Sequence, residues 1–336
     1  MHNDTPPRPL AGLIDAALEA TVVLSFSDVG AMVRRRLFDW QDLERLRMDG
    51  RVVLVTGASS GLGRAAALRL AKMGSTLRLL VRDRAKGEHV RKEIHASTPA
   101  ANVEIYTADL SDLGAVRGAT AQILEREPRL DVLVNNAGAL LPERRLSVDG
   151  FEMTFATMVL GPFVLTQGVA GLLERTASAH GTTRVINVSS GGMYTQALHL
   201  DDLQMEHEPY RGSVAYARAK RAQVVLTERW ARRWRDRGIV VHAMHPGWAD
   251  TPGIAAGLPR FGSMVGPRLR SPEEGADTIV WLAASDEAIR STGRFWLDRR
   301  PRSTDRLPGT HVTSADAERL WDACARLTAE GAEPAD

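Results

Sequence analysis

Lysine is nearly missing from this chain of 336 residues: of its 43 basic side chains only Lys72, Lys86, Lys92 and Lys220 are lysine, and the rest are arginine. A lysine inside a motif therefore needs a reason of its own. Cysteine is rarer still. Cys324 stands alone, which forbids an internal disulfide and fits a reducing compartment such as the cytoplasm. Its neighbours Leu320 and Leu327 on a predicted terminal helix mark it as core filler. Charge of one sign is also lacking. The formal net charge is +2, with basic and acidic residues interspersed, so no stripe exists for nucleic acid to bind. Arg34 to Arg36 form the one basic cluster. No metal site is expected.

Met1 to Leu10 holds three prolines and no basic-then-apolar order, so no signal peptide is expected. Residues 11–33 are partly apolar, but Asp15, Glu19 and Asp28 interrupt them and argue against a bilayer span. What remains is an amphipathic helix. It packs on the core or lies on a membrane surface, with Arg34 to Arg36 facing anionic lipid.

What is present is alternation. From residue 51, β-branched runs separate longer helical stretches: "RVVLVT" (51–56), "TLRLLV" (76–81), "NVEIYTA" (102–108), "DVLVNN" (131–136), "RVINVS" (184–189), "IVVHAMH" (239–245) and "RFWLD" (294–298). The runs are apolar on both faces, as buried parallel strands are, and the gaps hold crossover helices. This predicts an α/β, Rossmann-type, doubly wound sheet of seven parallel strands in one domain over 51–300, with ligands at the carboxyl ends of the strands. Residues 1–50 form an N-terminal helical extension. Residues 301–336 form a C-terminal strap and a helix, which Thr313 or Ser314 caps from about Ala315.

"VLVTGASSGLGR" ends the first strand and opens a helix, with Gly57, Gly61 and Gly63 in a G-x-x-x-G-x-G spacing. Missing side chains let the backbone approach a pyrophosphate at the helix N-terminus, so Gly57, Ser59, Ser60, Gly61, Leu62 and Gly63 are cofactor-binding candidates. At the end of the second strand Val81 stands where a carboxylate would grip the ribose 2′-hydroxyl. Arg82 beside it suits a 2′-phosphate. The cofactor is therefore read as NADP(H).

"VAYARAK" pairs Tyr216 with Lys220 four residues on, a spacing that chance would produce about 0.05 times in a chain with so few of either residue. Ser190, in "NVSSGGM", lies 26 residues before Tyr216. Together they read as an acid/base device. An ammonium about 4 Å from a phenol contributes about 4 kcal/mol at an effective dielectric of 20, roughly three pKa units in favour of phenolate.

"TGASSGLG", "ADL" (108–110), "NNAG" (135–138), the Ser190, Tyr216 and Lys220 set and "HPGWADT" (245–251) resemble the short-chain dehydrogenases/reductases in order and spacing, over about 51–298. "VSSGGMYTQ", "AQVVLTERWA" and "TGRFWLDRRP" are similar to the family-member-12 branch. The resemblance implies Tyr216 as proton donor or acceptor, Ser190 as holder of the substrate oxygen, and Lys220 on the nicotinamide ribose. It also implies Asp109 and Leu110 at the adenine, Asn136, Ala137 and Gly138 along the cleft, and Pro246, Gly247 and Thr251 around nicotinamide and pyrophosphate.

The implied activity is hydride transfer between NADP(H) and a small carbonyl or alcohol substrate. "GGMYTQALHL", Trp248, Leu258, Phe261 and Met264 point to a lipophilic one. The resemblance leaves room for a homo-oligomer. One position departs from the pattern: Met158 replaces the family's asparagine, which holds a water on the lysine relay. Thr154, four residues earlier, is expected to hold a substitute water. The alternative reading is a dinucleotide-binding sensor or scaffold of little or no turnover.

Overall fold

A computed structural model describes residues 9–250 and 268–330. All seven apolar runs are strands: β1 Val52–Thr56, β2 Thr76–Val81, β3 Val103–Thr107, β4 Val132–Asn135, β5 Thr183–Val188, β6 Ile239–Met244 and β7 Phe295–Leu297. They pair in parallel, β3-β2-β1-β4-β5-β6-β7. Val53 lies beside Leu77 on one side and Val132 on the other. Successive strand side chains point to opposite faces. Leu54 accordingly joins one hydrophobic layer, while Val53 and Val55 join the other.

Before the sheet come α1 (Pro9–Ala20), α2 (Val22–Phe26) and α3 (Asp28–Leu37). One face of the sheet is covered by α4 (Gly61–Lys72), α5 (Arg84–Ser97) and α9 (Pro272–Ala284). The other is covered by α6 (Leu113–Arg126), α7 (Met153–His180), α8 (Gly212–Arg233) and α10 (Ser314–Glu330). Caps fix several helix starts. The carboxylates of Asp83 and Asp112 accept from Lys86 N and Ala115 N, and Ser271 and Glu274 form a capping box on α9. Thr313 Oγ1 accepts from Asp316 N ahead of α10. Among the described residues α7 alone is long and apolar enough to cross a membrane, yet most of it is buried against the rest of the chain. It carries a π-helical stretch, Ala156–Leu160.

An eighth strand corrects the expectation of seven. β8, Arg300–Arg302, pairs antiparallel with β7 where an extended strap is expected, Leu297 facing Arg300. The two residues between the strands, Asp298 and Arg299, have φ of 54° and 57°. Such turns favour Asn-Gly, and no glycine signals this one. Ion pairs hold it instead: Asp298 takes Arg270 and Arg34, and Arg299 forks onto Asp277. Although burial opposes ionisation of Asp298, Arg270 and Arg34 hold its carboxyl below the ordinary carboxylate range.

The strand order reverses between β1 and β4, because the chain builds outward to β3 on one side and then returns to β4 on the other. Neighbouring loops part there at the carboxyl ends, leaving the crevice in which such sheets bind ligands.

Candidate functional site

The crevice is lined first by backbone. β1 ends at Thr56, the chain turns through Gly57 at φ 64°, and α4 opens at Gly61 with φ 51°. A Cβ on Gly57 would stand 2.8 Å from Ala137 Cα, and one on Gly63 would stand 2.4 Å from Asn136 Nδ2 and 2.5 Å from the Gly57 carbonyl oxygen. These contacts admit no side chain. Asn136 staples the turn: its Nδ2 donates to the Thr56 carbonyl at 2.9 Å, while Thr56 Oγ1 accepts from the backbone of Asn136 and Ala137. A bare helix N-terminus with a fixed glycine turn fits a pyrophosphate. Ser59 and Leu62 are partly buried here, and Ser60 is the exposed cap position of α4. Leu62 reaches across toward Gly275 of α9.

Val81 is buried at the end of β2, and Arg82, beyond it, is 79% exposed. Its Nη1 lies 3.6 Å from Asp109 Oδ2. Asp109 Oδ1 is taken by the backbone and hydroxyl of Ser111, and Leu110 is buried beneath α7, its carbonyl against Gly161. Arg82 and Asp109 thus converge on the adenosine side of the crevice.

At the carboxyl end of β5 the chain delivers Ser189 and Ser190. Ser190 Oγ accepts from Gly192 N and shares a hydrogen bond with Tyr216. Tyr216 and Lys220 are one turn apart on α8, and Lys220 Nζ lies 5.5 Å from the Tyr216 ring centroid. The structure therefore brings together Ser190, Tyr216 and Lys220. It does not reproduce the phenolate-favouring balance expected above. Burial pushes the Tyr216 phenol up, against the Ser190 hydrogen bond, and burial pushes Lys220 down to about 7. Desolvation of the charged form dominates at both groups.

Around Lys220 the sequence reading missed two partners. Nζ donates to the Val188 carbonyl at 2.7 Å and to Gln223 Oε1 at 3.1 Å, and Gln223 Nε2 donates to the Met158 carbonyl at 2.7 Å. Gln223 could have been found, because residues three apart share a helix face. Thr154 does not take the expected role. Its hydroxyl lies 3.3 Å from Tyr210 Oη, which donates to Glu152. The π-helical stretch starting at Ala156 also breaks the α-helical register on which the Thr154–Met158 pairing rests.

A third omission is Phe26. Its ring stands where a Cβ on Gly191 would come within 2.6 Å, it packs edge-on to His245 and Trp248, and its carbonyl accepts from Trp248 N at 2.7 Å. Gly247, at φ 76°, follows Pro246 and is covered by Arg270 and the Phe26 carbonyl. Gly138 lies between Met158 and Lys220: a Cβ there would be 3.3 Å from the Met158 sulfur and 3.8 Å from Lys220 Nζ. Thr251, Leu258, Phe261 and Met264 lie outside the described residues.

A parallel sheet reversing between β1 and β4, a glycine turn at that reversal and a Ser-Tyr-Lys cluster at the end of β5 define a dinucleotide-dependent oxidoreductase that transfers hydride. The chain belongs to the short-chain dehydrogenase family, whose pattern matches residues 51–257. It is 45% identical over 278 residues to human dehydrogenase/reductase SDR family member 12, covering 82% of this chain and 85% of that one. Human retinol dehydrogenase 13 is 33% identical over 287 residues, 83% of this chain and 84% of its own.

Among solved structures, an uncharacterized protein from Mycobacterium paratuberculosis superposes with a TM-score of 0.68 at 29% identity, over 86% of this chain and 97% of its own. The 3-ketoacyl-(acyl-carrier-protein) reductase from Brucella melitensis, complexed with NADH, gives 0.60 at 26%, over 74% of this chain and 96% of its own. The Pseudomonas aeruginosa RhlG/NADP complex also gives 0.60 at 26%, over 74% and 94%. Neighbours of this fold thus hold either dinucleotide.

Proposed function

We propose that this protein is an NADP(H)-dependent oxidoreductase that reduces a carbonyl, or oxidises the matching alcohol, on a lipophilic small molecule. The observation that carries the reading is the Tyr216 hydroxyl, bonded to Ser190 and backed by Lys220, at the strand end beside the glycine turn. When bound, the nicotinamide supplies or accepts the hydride. The glycine turn at Gly57 to Gly63 holds the pyrophosphate, Asp109, Leu110 and Asn136 to Gly138 border the nucleoside, and Pro246 and Gly247 border the nicotinamide side. Lys220 holds the nicotinamide ribose. Arg82 supports NADP(H) over NAD(H), since Val81 offers no carboxylate to a free 2′-hydroxyl.

Tyr216 moves the proton at the substrate oxygen and Ser190 orients that oxygen. Because burial pushes the Tyr216 phenol up, it keeps its proton at neutral pH, the state required to donate to a carbonyl oxygen as it gains negative charge. Phe26, Met193, Tyr194 and Trp248 pack together beside Ser190, and this apolar, aromatic company favours a lipophilic substrate.

Peripheral contact with a membrane belongs to the same reading. On α1 the acids face inward: Asp15 and Glu19 bind buried Arg34, while Leu10, Leu13 and Ile14 face outward. Val22, Val23, Leu24 and Met32 extend that outward apolar face, and the exposed charges on α3 are Arg35 and Arg36. An apolar face with cationic flanks suits an anionic lipid surface. The enzyme then works on the cytoplasmic side of a membrane, next to its lipophilic substrate.

NADPH consumption measured over a panel of lipophilic aldehydes and ketones tests the activity. The wild type should turn over at least one, and Tyr216→Phe should be slower by about 10²- to 10⁴-fold with NADPH affinity unchanged. Dinucleotide binding without turnover of any carbonyl or alcohol would instead make the chain a sensor or scaffold, the role that Met158 favours.

A further inference from the structure

Lys220 is held in a way that its position on α8 does not by itself require. It is 3% exposed, and two of its three ammonium donors are accounted for by Val188 O and Gln223 Oε1. Gln223 is in turn fixed at its other end, where Nε2 donates to the Met158 carbonyl. That carbonyl lies inside the π-helical stretch Ala156–Leu160. Wide π turns divert backbone carbonyls from the α-helical ladder and leave them open to other donors. Gln223 therefore bridges the lysine and α7 with both ends of one amide.

We propose that Gln223 is the positioning residue of the catalytic lysine, clamping Lys220 to the π-helical carbonyl of Met158 and closing the route by which water would reach it through α7. The proposal rests on the reading of Lys220 as part of the cofactor site. An amide orients an ammonium but does not pass a proton along as a water does: its oxygen accepts and its nitrogen donates, and neither changes protonation. Proton exchange at Tyr216 then runs through the open side of the cleft. Met158 fits this arrangement. Only its backbone is used in the clamp, and its sulfur fills the volume beside Gly138.

The groups around Nζ are the Val188 carbonyl from the end of β5, the Met158 sulfur from α7, and the Gln223 amide and Tyr216 ring from α8. None carries a charge at neutral pH. The Lys220 titration midpoint, about 7, is thus a sensitive reporter of the amide. It can be followed by NMR in protein carrying ¹³C-labelled lysine, where four residues are few enough to assign by substitution.

Gln223→Glu puts a carboxylate against the ammonium and should raise the Lys220 midpoint by at least one unit, a tenfold change in its protonation equilibrium. Gln223→Met keeps the length and removes the acceptor, and should lower the midpoint. The limb of the kcat-pH profile set by Lys220 should move the same way in each variant. If Gln223→Glu fails to fold, Gln223→Met decides alone. Unchanged Lys220 midpoints in folded variants overturn the clamp, as does a uniform loss of turnover with no movement of the limb. The NMR titration needs no turnover. A wild type that reduces no carbonyl defeats the proposed function, while the titration still judges Gln223.

Discussion

Replacing Lys220 by methionine should make the protein inactive and more stable. In the unfolded chain lysine titrates near its ordinary value of 10.5, while burial lowers it to about 7 in the fold. Between those values the unfolded chain binds a proton that the folded chain has released. Stability therefore rises with pH across this window, by a little over 1 kcal/mol per pH unit for one fully differing proton. Below pH 7 the protein bears the full cost of burying the ammonium, and the cost fades as pH climbs through 7 toward 10.5.

Methionine carries no such cost, although it leaves Val188 O and Gln223 Oε1 without their donor, a loss of about 1–3 kcal/mol. That loss does not depend on pH. The stability difference between Lys220→Met and wild type should accordingly shrink by about 3 kcal/mol between pH 7 and pH 9.5, whatever its value at pH 7. Urea unfolding of both proteins at four pH values in this range measures it, since groups common to both cancel in the difference. Tyr216 does not interfere, because its phenol is pushed up and titrates above the window in the fold. A difference that stays flat from pH 7 to 9.5 refutes the reasoning and returns Lys220 to an ordinary, solvated ammonium.

Other expectations follow from the same geometry. Arg82→Ala should weaken NADPH binding by roughly 1.5 to 3 kcal/mol and leave NADH nearly unaffected; calorimetry with both dinucleotides checks it, and equal losses for the two would remove Arg82 from the 2′-phosphate. Gly63→Ala forces a methyl to within 2.4 Å of Asn136 Nδ2, so it should destabilise the fold by about 1–3 kcal/mol and abolish dinucleotide binding, read by thermal melting and tryptophan fluorescence. The double variant Leu13→Asp, Val23→Asp alters side chains that are 69% and 57% exposed. It should leave the melting temperature unchanged and abolish co-sedimentation with phosphatidylglycerol vesicles; a change from dimer to monomer instead would show that a second copy covers this face.

The parallel sheet was legible because seven apolar runs bounded by glycine and aspartate admit few other structures, and the glycine turn because spacing and strand-helix context occur together. β8 was not legible, since its turn uses Asp298 and Arg299 at positive φ in place of glycine. The partners that hold it, Arg34 and Arg270, are 264 and 28 residues away. The Ser190, Tyr216 and Lys220 cluster was readable from residue type and order. Gln223 was within reach of helical spacing but carried no motif. Thr154 misled for a definite reason: sequence spacing presumes an α-helix, and a π-helical stretch at Ala156–Leu160 changes which residues share a face. Phe26 gave no signal at all, because nothing local says that a residue before β1 will lie against Gly191.

The ion pair between Arg34 and Asp298 has a consequence in time. Arg34 leaves the ribosome 264 residues ahead of its partner, which at about 5–20 residues per second is roughly a quarter of a minute to most of a minute. During that interval Asp15 and Glu19 can neutralise Arg34 locally, but the carboxylate that ties Arg34 to the end of the sheet is still to come. The first segment made is thus among the last to be placed. A nascent chain that already holds Ser190, Tyr216 and Lys220 still lacks the anchor of the segment that carries Phe26, so a finished cleft exists only once the turn that carries Asp298 has been synthesised.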